Sequence, residues 1–414
     1  MRVMSANNKG QNVANAPLLR FPEFKDEWNI VKVSDLLEFY STNSYSWDQL
    51  DFEVGEIFNL HYGMIHNGLP TMMNAKENIL PFVKEKPKNY TICKEGDVAF
   101  ADASEDTNEV AKCIEFTNCD RKQIICGLHT IHGRDKLGIT ELGYKGYAFS
   151  SKAFHDQVKK LAQGTKIYSI SAKTFSECFV GIPSNKEQQK IAKLLSLIDK
   201  RIEIQRSAIE KLKSLMAGIR KYAQSLNSCK STFLRDILTE RKEKNTSLYP
   251  VYSVAVKEGI INQIEHLGRS FAAKDTANYH VVHEDDIVYT KSPTGNFPYG
   301  IVKKSFTYLP VAVSPLYGVY IPKNKDIACF LHYYFLSPAN TNNYLHCLIQ
   351  KGAKNTINIT NQHFLDNTID LPGSEDLHKI VKGILTIQNK IEIESNTLKC
   401  YLYQKSHLLS KMFI

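Results

Sequence analysis

Several signatures of catalysis are missing from this sequence of 414 residues. It contains no GxxxxGK[ST] phosphate loop, no GxGxxG turn after a strand and no GxSxG elbow, so it supplies neither a nucleotide motor nor a familiar hydrolase site. The Asn-Pro-Pro-aromatic and Asp-Pro-Pro-Tyr tetrads, with which an amino-methyltransferase holds the amine of a flipped base, are absent too. No run of ~18 apolar residues is found, and the first twenty residues, polar from Ser5 to Asn15, have no apolar signal-peptide core. A soluble cytoplasmic protein with no membrane partner is expected. The nine cysteines form no CxxC pair and keep no regular spacing, which argues against a disulfide framework or a zinc ribbon and for reduced thiols.

Against these absences stand 21 Tyr, 20 Phe and a hydrophobic content of 43%, ample for globular cores. The length suits about two to four domains. Lys and Arg outnumber Asp and Glu by 52 to 43, giving a net charge of +9 and a pI near 8.9, which favours a polyanionic partner. The surplus is local: 185–230 holds eleven Lys/Arg against four Asp/Glu, whereas 231–371 holds fourteen against twelve. A solvated helix face explains this as well as a surface for nucleic acid or an acidic subunit does.

The chain repeats itself. Ile170, Phe175, Pro183, Ile191, Ile202 and Ile204 recur 189 residues later as Ile359, Phe364, Pro372, Ile380, Ile391 and Ile393. Asp97, Val98 and Phe100 match Asp286, Ile287 and Tyr289 at the same offset, and Leu128 and Ile131 match Leu316 and Val319 at 188. A duplicated unit usually duplicates a binding task, so two similar sites are expected. Apolar runs between Gly, Pro and Asn predict strands at 56–60, 97–100 and 124–131, and again at 250–256, 286–290 and 311–321; helices are predicted at 151–163 and around 330–350.

Pro183 and Pro372 each stand just ahead of helical periodicity, where first-turn amides lack partners anyway. Ile191, Leu195, Ile198, Ile202, Gln205, Ile209, Leu212, Met216 and Ile219 alternate spacings of four and three. Ile380, Ile384, Ile387, Ile391, Glu394, Leu398, Tyr401, Lys405 and Leu408 repeat that seam. Two matching seams in one chain most simply pack on each other, antiparallel if the copies are related by a pseudo-twofold. The fold class expected is α+β: two similar α/β domains in tandem, separated by two long antiparallel coiled-coil helices. The boundaries are a flexible arm at 1–17, domains at 18–182 and 231–371, and helices at 183–230 and 372–414. At 1.5 Å per residue the first helix makes a rod of ~63 Å, against ~34 Å for a turn of B-DNA, a scale that suits a split DNA site and a dumbbell of two heads.

Polar loops follow the Asp97 and Asp286 strands in corresponding places but with different residues: Ser104, Glu105, Thr107 and Asn108 in one, Lys291, Ser292, Thr294 and Asn296 in the other. Such side chains discriminate base edges, although solvated turns have the same composition. Thr165 and Lys166, and Lys351, Lys354 and Asn355, lie in glycine-containing turns that either position phosphates or are simply tight. Cys126, His129 and His132 are close enough to suggest a metal, but their repeat partners are Ser314, Tyr317 and Tyr320. Strand packing is the preferred reading, for His280 and His283 also, and no metal is expected.

The opening Leu19-Arg20-Phe21-Pro22-Glu23-Phe24, the Gly-x-x-x-x-x-Ile and Phe pattern before each proline, and Ile-Pro-x-x-x-Glu-Gln-Gln-Lys-Ile-Ala at 182–192 closely resemble type I restriction-modification specificity subunits. The resemblance spans nearly the whole chain. It implies two target recognition domains, each reading one part of a bipartite site in double-stranded DNA, and helices that act as a ruler and dock two methylation subunits. Those partners would bring S-adenosylmethionine and adenine-N6 transfer. A restriction subunit, reached through them, would bring ATP- and Mg-dependent translocation and cleavage. This chain would hold no cofactor and no catalytic residue.

Gln188 and Gln189 are expected against a methylation subunit. Ile191, Leu195, Ile198, Ile202, Ile209, Leu212, Ile380, Ile384, Ile387, Ile391 and Leu398 are expected in the coil or partner interface. The second copy departs from the pattern, with 371–378 replacing the Gln-rich run, so the two docking surfaces cannot be identical. The competing reading is a coiled-coil adaptor that joins two proteins and never touches nucleic acid.

Overall fold

The computed structural model describes residues 15–119, 122–268, 275–351 and 357–414. Most of the arm expected at 1–17, and the candidates Lys354 and Asn355, lie outside the described residues.

Both copies open alike. Asn29–Lys32 runs antiparallel to Phe179–Ile182, a single helical turn follows at Val33–Leu36, and the chain re-extends as β1 (Leu37–Tyr40). In the second copy Lys230–Phe233 pairs with Thr368–Leu371, the turn is Leu234–Ile237, and the strand is Leu238–Glu240. The turn forms because Val33 and Leu36, like Leu234 and Ile237, are all buried, and at three-residue spacing only helical geometry puts both on one side.

The first main sheet contains β1, β2 (Met72–Asn74), β3 (Val98–Ala101), β4 (Cys113–Thr117) and β5 (Thr130–Asp135) in the order β1-β5-β3-β4-β2. Only the β2–β4 pairing is parallel. The second main sheet contains β6 (Leu238–Glu240), β7 (Ile287–Tyr289), β8 (Val302–Lys304) and β9 (Gly318–Pro322) in the order β6-β9-β7-β8, all antiparallel. Thus β1-β5-β3-β4 and β6-β9-β7-β8 are one frame used twice. β3 and β7 are buried at every position, as expected for central strands covered on both faces.

Three expected elements divide. The run 124–131 becomes Gln123–Cys126, parallel to Ile57–Leu60 in a second sheet, and β5 in the main sheet. The break falls at Gly127, where a Cβ would lie 2.3 Å from Asn59 Oδ1, and at His129, whose φ is 53°. The run 311–321 likewise becomes Val311–Val313 and β9. The helix expected around 330–350 is two, Lys325–Phe335 and Pro338–His346, because Pro338 has no amide to donate and Ser337 caps the new start by accepting from Asn340 N at 3.4 Å. The helix expected at 151–163 is Lys152–Leu161, capped by Ser151.

The long helices are α1 (Asn185–Gln224) and α2 (Ser374–Lys411). Pro183 and Pro372 stand one residue before the cap rather than inside the first turn. The carbonyls of Ser184 and Gly373 accept the first helical bonds, from Gln188 N at 3.0 Å and Leu377 N at 2.8 Å. Proline holds the residue before it extended, and Ile182 and Leu371 are each the last residue of a strand. The proline therefore fixes the switch from strand to helix.

The chain divides into two compact units, one built from the chain up to Ser207 together with Ser395–Ile414, the other from Ala208–Glu394. Each unit takes a segment of both long helices, so the helices are built into the cores rather than standing apart as spacers. In the first unit Ile191, Leu195, Ile198 and Ile202 share a core with Trp28, Phe175, Leu408, Met412 and Phe413, and Leu398 and Tyr401 pack against it. Lys405 meets Asp199 at 2.6 Å and the Arg201 guanidinium lies 5.9 Å from the Tyr401 ring centre, so the two segments run antiparallel. In the second unit Met216 and Ala223 join Leu377, Ile380 and Ile384, with Ile219, Ile387 and Ile391 against them. Ile209 is buried and Leu212 half-buried. Leu197, Ile204 and Leu215, off the seam, are more than half exposed.

The phase of the seam has a direct consequence. Leu195→Ala should cost about 2–5 kcal/mol of stability, whereas Leu197→Ala should stay within about 0.5 kcal/mol of the parent. Denaturant unfolding checks this, and equal losses at the two positions would show the seam to be misassigned.

Candidate nucleic-acid interface

The first candidate surface forms where the chain leaves β3. Ala103–Ser104 pairs antiparallel with Tyr168–Ser169, and Ile170 N donates to the Asp102 carbonyl at 2.9 Å. The loop at 102–108 and the turn at 164–167, far apart in sequence, thereby become neighbours. That turn requires glycine: Gly164 has a φ of 145°, and a Cβ on it would fall 1.9 Å from the Ile167 carbonyl oxygen. Thr165 and Lys166 stand exposed at its tip.

A groove of about 710 Å³ runs between these segments, lined by Ser104, Glu105, Glu109, His66, His129 and Ile167 among others. His66 Nε2 donates to the Ala103 carbonyl at 2.9 Å. The His66 ring, whose Nδ1 lies 3.7 Å away, and Lys112 at 2.6 Å hold the Glu109 carboxyl down at about 2 against the opposing effect of burial. Burial pushes Asp102 up, although His129 Nδ1 lies 3.1 Å away. With Glu105 and Asp106 exposed at the rim, the groove carries carboxylates that can accept from cytosine amines, while Lys166, exposed on the adjoining turn, is a cation suited to a phosphate.

The four candidates of this loop differ in availability. Ser104 Oγ accepts from Asp106 N at 3.1 Å, and Asn108 is engaged at both ends of its amide, by Asp106 at 2.8 Å and Lys159 at 2.5 Å. These two shape the loop. Glu105 is exposed and Thr107 half-buried. His66, Lys112 and His129 were not singled out for this groove from sequence; they come from a short helix and two distant loops with no common pattern.

In the second unit the loop after β7 holds Lys291 half-buried, with burial lowering its ammonium below the usual range against the pull of Glu240. Ser292, Thr294 and Asn296 are exposed. Thr294 and Phe297 exchange backbone hydrogen bonds of 3.1 and 3.0 Å, and Asn342 Nδ2 donates to the Asn296 carbonyl at 3.2 Å. Lys351 pairs through its backbone with Ile357. The two frames thus support different loops by different braces.

A buried carboxylate lies at the start of each central strand, the end away from the loop. Asp97 accepts from Arg134 at 2.7 and 2.8 Å, from His132 Nε2 at 2.8 Å and from Lys94 N at 2.8 Å. Asp286 accepts from Arg241 at 2.7 and 3.0 Å and from His283 N at 2.8 Å. Burial alone raises both. At Asp97 the bonds from Arg134, His132 and Lys94 outweigh burial and the carboxyl sits below its usual range; at Asp286 they do not, and it stays raised. Of the trio considered for a metal, His129 faces the groove, while Cys126 and His132 gather with Cys93.

The start of α1 corrects one expectation. Gln188 is fully buried: its Oε1 accepts from Glu141 N at 2.8 Å, and its Nε2 donates to the carbonyls of Ile139 and Pro183 at 3.0 and 2.9 Å. It is spent inside the unit, and its repeat partner Leu377 is buried as well. Arg20 makes a two-point contact with Glu187 at 2.7 and 2.8 Å, and Lys190 pairs with Glu23 and lies 5.6 Å from the rings of Phe21 and Phe24. The opening motif and the run at 182–192 therefore pack on each other. Gln189 is exposed and lines a shallow groove of about 430 Å³ with Lys186, Lys193 and Phe24. Its counterpart His378 lines one of about 420 Å³ with Lys382 and Leu385. Among the described residues no helix is long and apolar enough to cross a membrane.

A sequence profile described as the type I restriction modification DNA specificity domain matches residues 25–214 and again 229–400. No curated protein matches at a significant level. Among solved structures, the chain is similar to the S subunit of a type I restriction-modification system from M. genitalium, with 15% identity, a TM-score of 0.57, and coverage of 96% of this chain and 99% of that one. It is also similar, at 12% identity and a TM-score of 0.51, to a chain from a study of complex assembly and conformational transition of the type I R-M system, over 92% of this chain and 96% of that one.

The buried carboxylate at the start of β3 gives a test of how the first frame is held. Asp97→Asn leaves Arg134 without its charge partner and should cost about 3 kcal/mol. Because the folded carboxyl is depressed below the unfolded value of ~3.9, the stability it contributes is present above about pH 4 and is lost as pH falls through the folded value. Thermal unfolding followed from pH 7 downward should show that acid loss diminished in the variant; an unchanged acid slope would remove Asp97 as its source.

Proposed function

Because the chain belongs to the type I restriction modification DNA specificity family, we propose that its two units read two parts of one split target in double-stranded DNA, while its long helices dock two methylation subunits. The observation that carries the reading is the doubled frame, β1-β5-β3-β4 and β6-β9-β7-β8, with unlike polar loops after its two central strands. Equal scaffolds with unequal loops suit two different words. Grooves that share two corresponding positions, Gln189 and Lys193 on α1 and His378 and Lys382 on α2, suit two related but unequal docking sites.

On this reading the chain supplies address and its partners supply chemistry. The methylation subunits bring S-adenosylmethionine and transfer a methyl group to adenine, and restriction subunits joined through them bring ATP and Mg. Lys166, at the tip of a turn beside the groove, neutralises a phosphate, and Glu105 at the rim faces base edges. An adaptor that never touches nucleic acid does not fit a family of DNA specificity domains.

Two experiments bear on this. Seven residues inserted in each long helix, after Ser207 and after Glu394, add ~10 Å of helix and should widen the unread gap of the target by about three base pairs at ~3.4 Å each. Mapping of modified bases reads the gap, and an unchanged gap would discard the ruler. Lys166→Ala should weaken binding of the assembled complex on all sequences alike and reduce the slope of log affinity against log salt by about one; an altered sequence preference would instead make Lys166 a base reader.

A further inference from the structure

Three side chains with metal-ligating atoms converge in the interior of the first unit, apart from the groove. Cys93, Cys126 and His132 are 2%, 1% and 0% exposed, and one ligand atom from each lies within 4.8 Å of the other two. The two sulfurs are 3.6 Å apart. Two thiolates on one tetrahedral zinc, each at ~2.3 Å, would stand ~3.8 Å apart, so the pair is already at the spacing an ion imposes.

The imidazole is prepared for the same task. His132 Nε2 is taken by Asp97 at 2.8 Å, which places the ring proton there and leaves the lone pair on Nδ1. That Nδ1 is buried and has no hydrogen-bond partner. Buried polar atoms are normally satisfied, and an orphan of this kind asks for an explanation. A carboxylate behind a histidine, with the other ring nitrogen free, is the arrangement that orients an imidazole toward a metal.

We propose that Cys93, Cys126 and His132 bind one zinc ion, with Asp97 orienting the histidine. Binding forms two Zn–S bonds and one Zn–N bond and releases the two thiol protons to solvent. The remaining position falls to water. Charge is balanced: two thiolates neutralise the dication, and Arg134 neutralises Asp97. Cys126 ends a strand of the second sheet, Cys93 N donates to Ile124 O in that same strand at 2.8 Å, and His132 belongs to β5 of the main sheet. The ion therefore staples the two sheets on either side of the turn at Gly127–His129, and so steadies the wall of the groove that His129 forms. In the second copy the strand register puts Val319 in the place of His132, and the sequence offset puts Val282 and Ser314 in the places of the cysteines, so among the described residues the set occurs in the first unit.

The test uses the whole chain, purified with zinc present and passed through a mild chelator, and then cobalt added to metal-free protein. About one equivalent of retained zinc, a thiolate-to-cobalt charge-transfer band, and loss of both in Cys93→Ser and Cys126→Ser support the site. Retention no greater than in the Cys93→Ser/Cys126→Ser double variant, no thiolate band on the unsubstituted chain, or a Cys93–Cys126 disulfide found by mass spectrometry would overturn it. The cobalt spectrum is read on the parent protein, so it decides even where a serine variant fails to fold.

Discussion

Each unit closes its core with helix segments drawn from distant parts of the chain. Without Leu408, Met412 and Phe413, the stripe Ile191, Leu195, Ile198 and Ile202 would face water, and Trp28 would lose the Phe413 ring 6.3 Å away. Leu19 N donates to the Lys411 carbonyl at 2.9 Å, so the opening motif is held by the far helix as well. Burying a leucine or isoleucine contributes about 1.5–3 kcal/mol, and a seam of several such residues is large beside the ~5–15 kcal/mol that keeps a domain folded. The stability of each frame is therefore coupled to helix pairing, and a loop can change while that pairing stays.

The frame also shows how one physical need is met twice with different residues. A buried carboxylate stands at the start of each central strand, and each is matched by one arginine. In the first unit that arginine is Arg134, from β5; in the second it is Arg241, just after β6. The charge pair is kept while its source moves. The first carboxylate has in addition His132, and with it the cysteine cluster, which has no counterpart among the described residues of the second unit. The two units are alike in topology and unlike in what stiffens them, which suits readers of two different words.

The seam was legible because it depends on spacing alone: alternation of four and three separates buried Leu195 from exposed Leu197 with no knowledge of the neighbours. The central strands at Asp97 and Asp286 were legible through the repeat. Pro338 was a visible breaker that an apolar run concealed. Gly127 was not legible, since what forbids a side chain there is Asn59, from a different strand. Gln188 and Gln189 are adjacent and identical, yet one is buried on three backbone partners and the other exposed, a difference set by where 139–141 lies in space. The same holds for Cys93, which reaches Cys126 only through the pairing of its segment with 124–125, and for His66, which enters the groove from a separate short helix.

The reading of this chain as two tandem DNA readers turns on whether each loop governs its own half of the target. Genome-wide mapping of methylated adenines, in cells carrying a chain whose loop at Ser104–Asn108 has been replaced by a different polar sequence, measures this. The account predicts a change in one half of the split word, with the other half and the gap between them preserved. Change in both halves, or in neither, would contradict it.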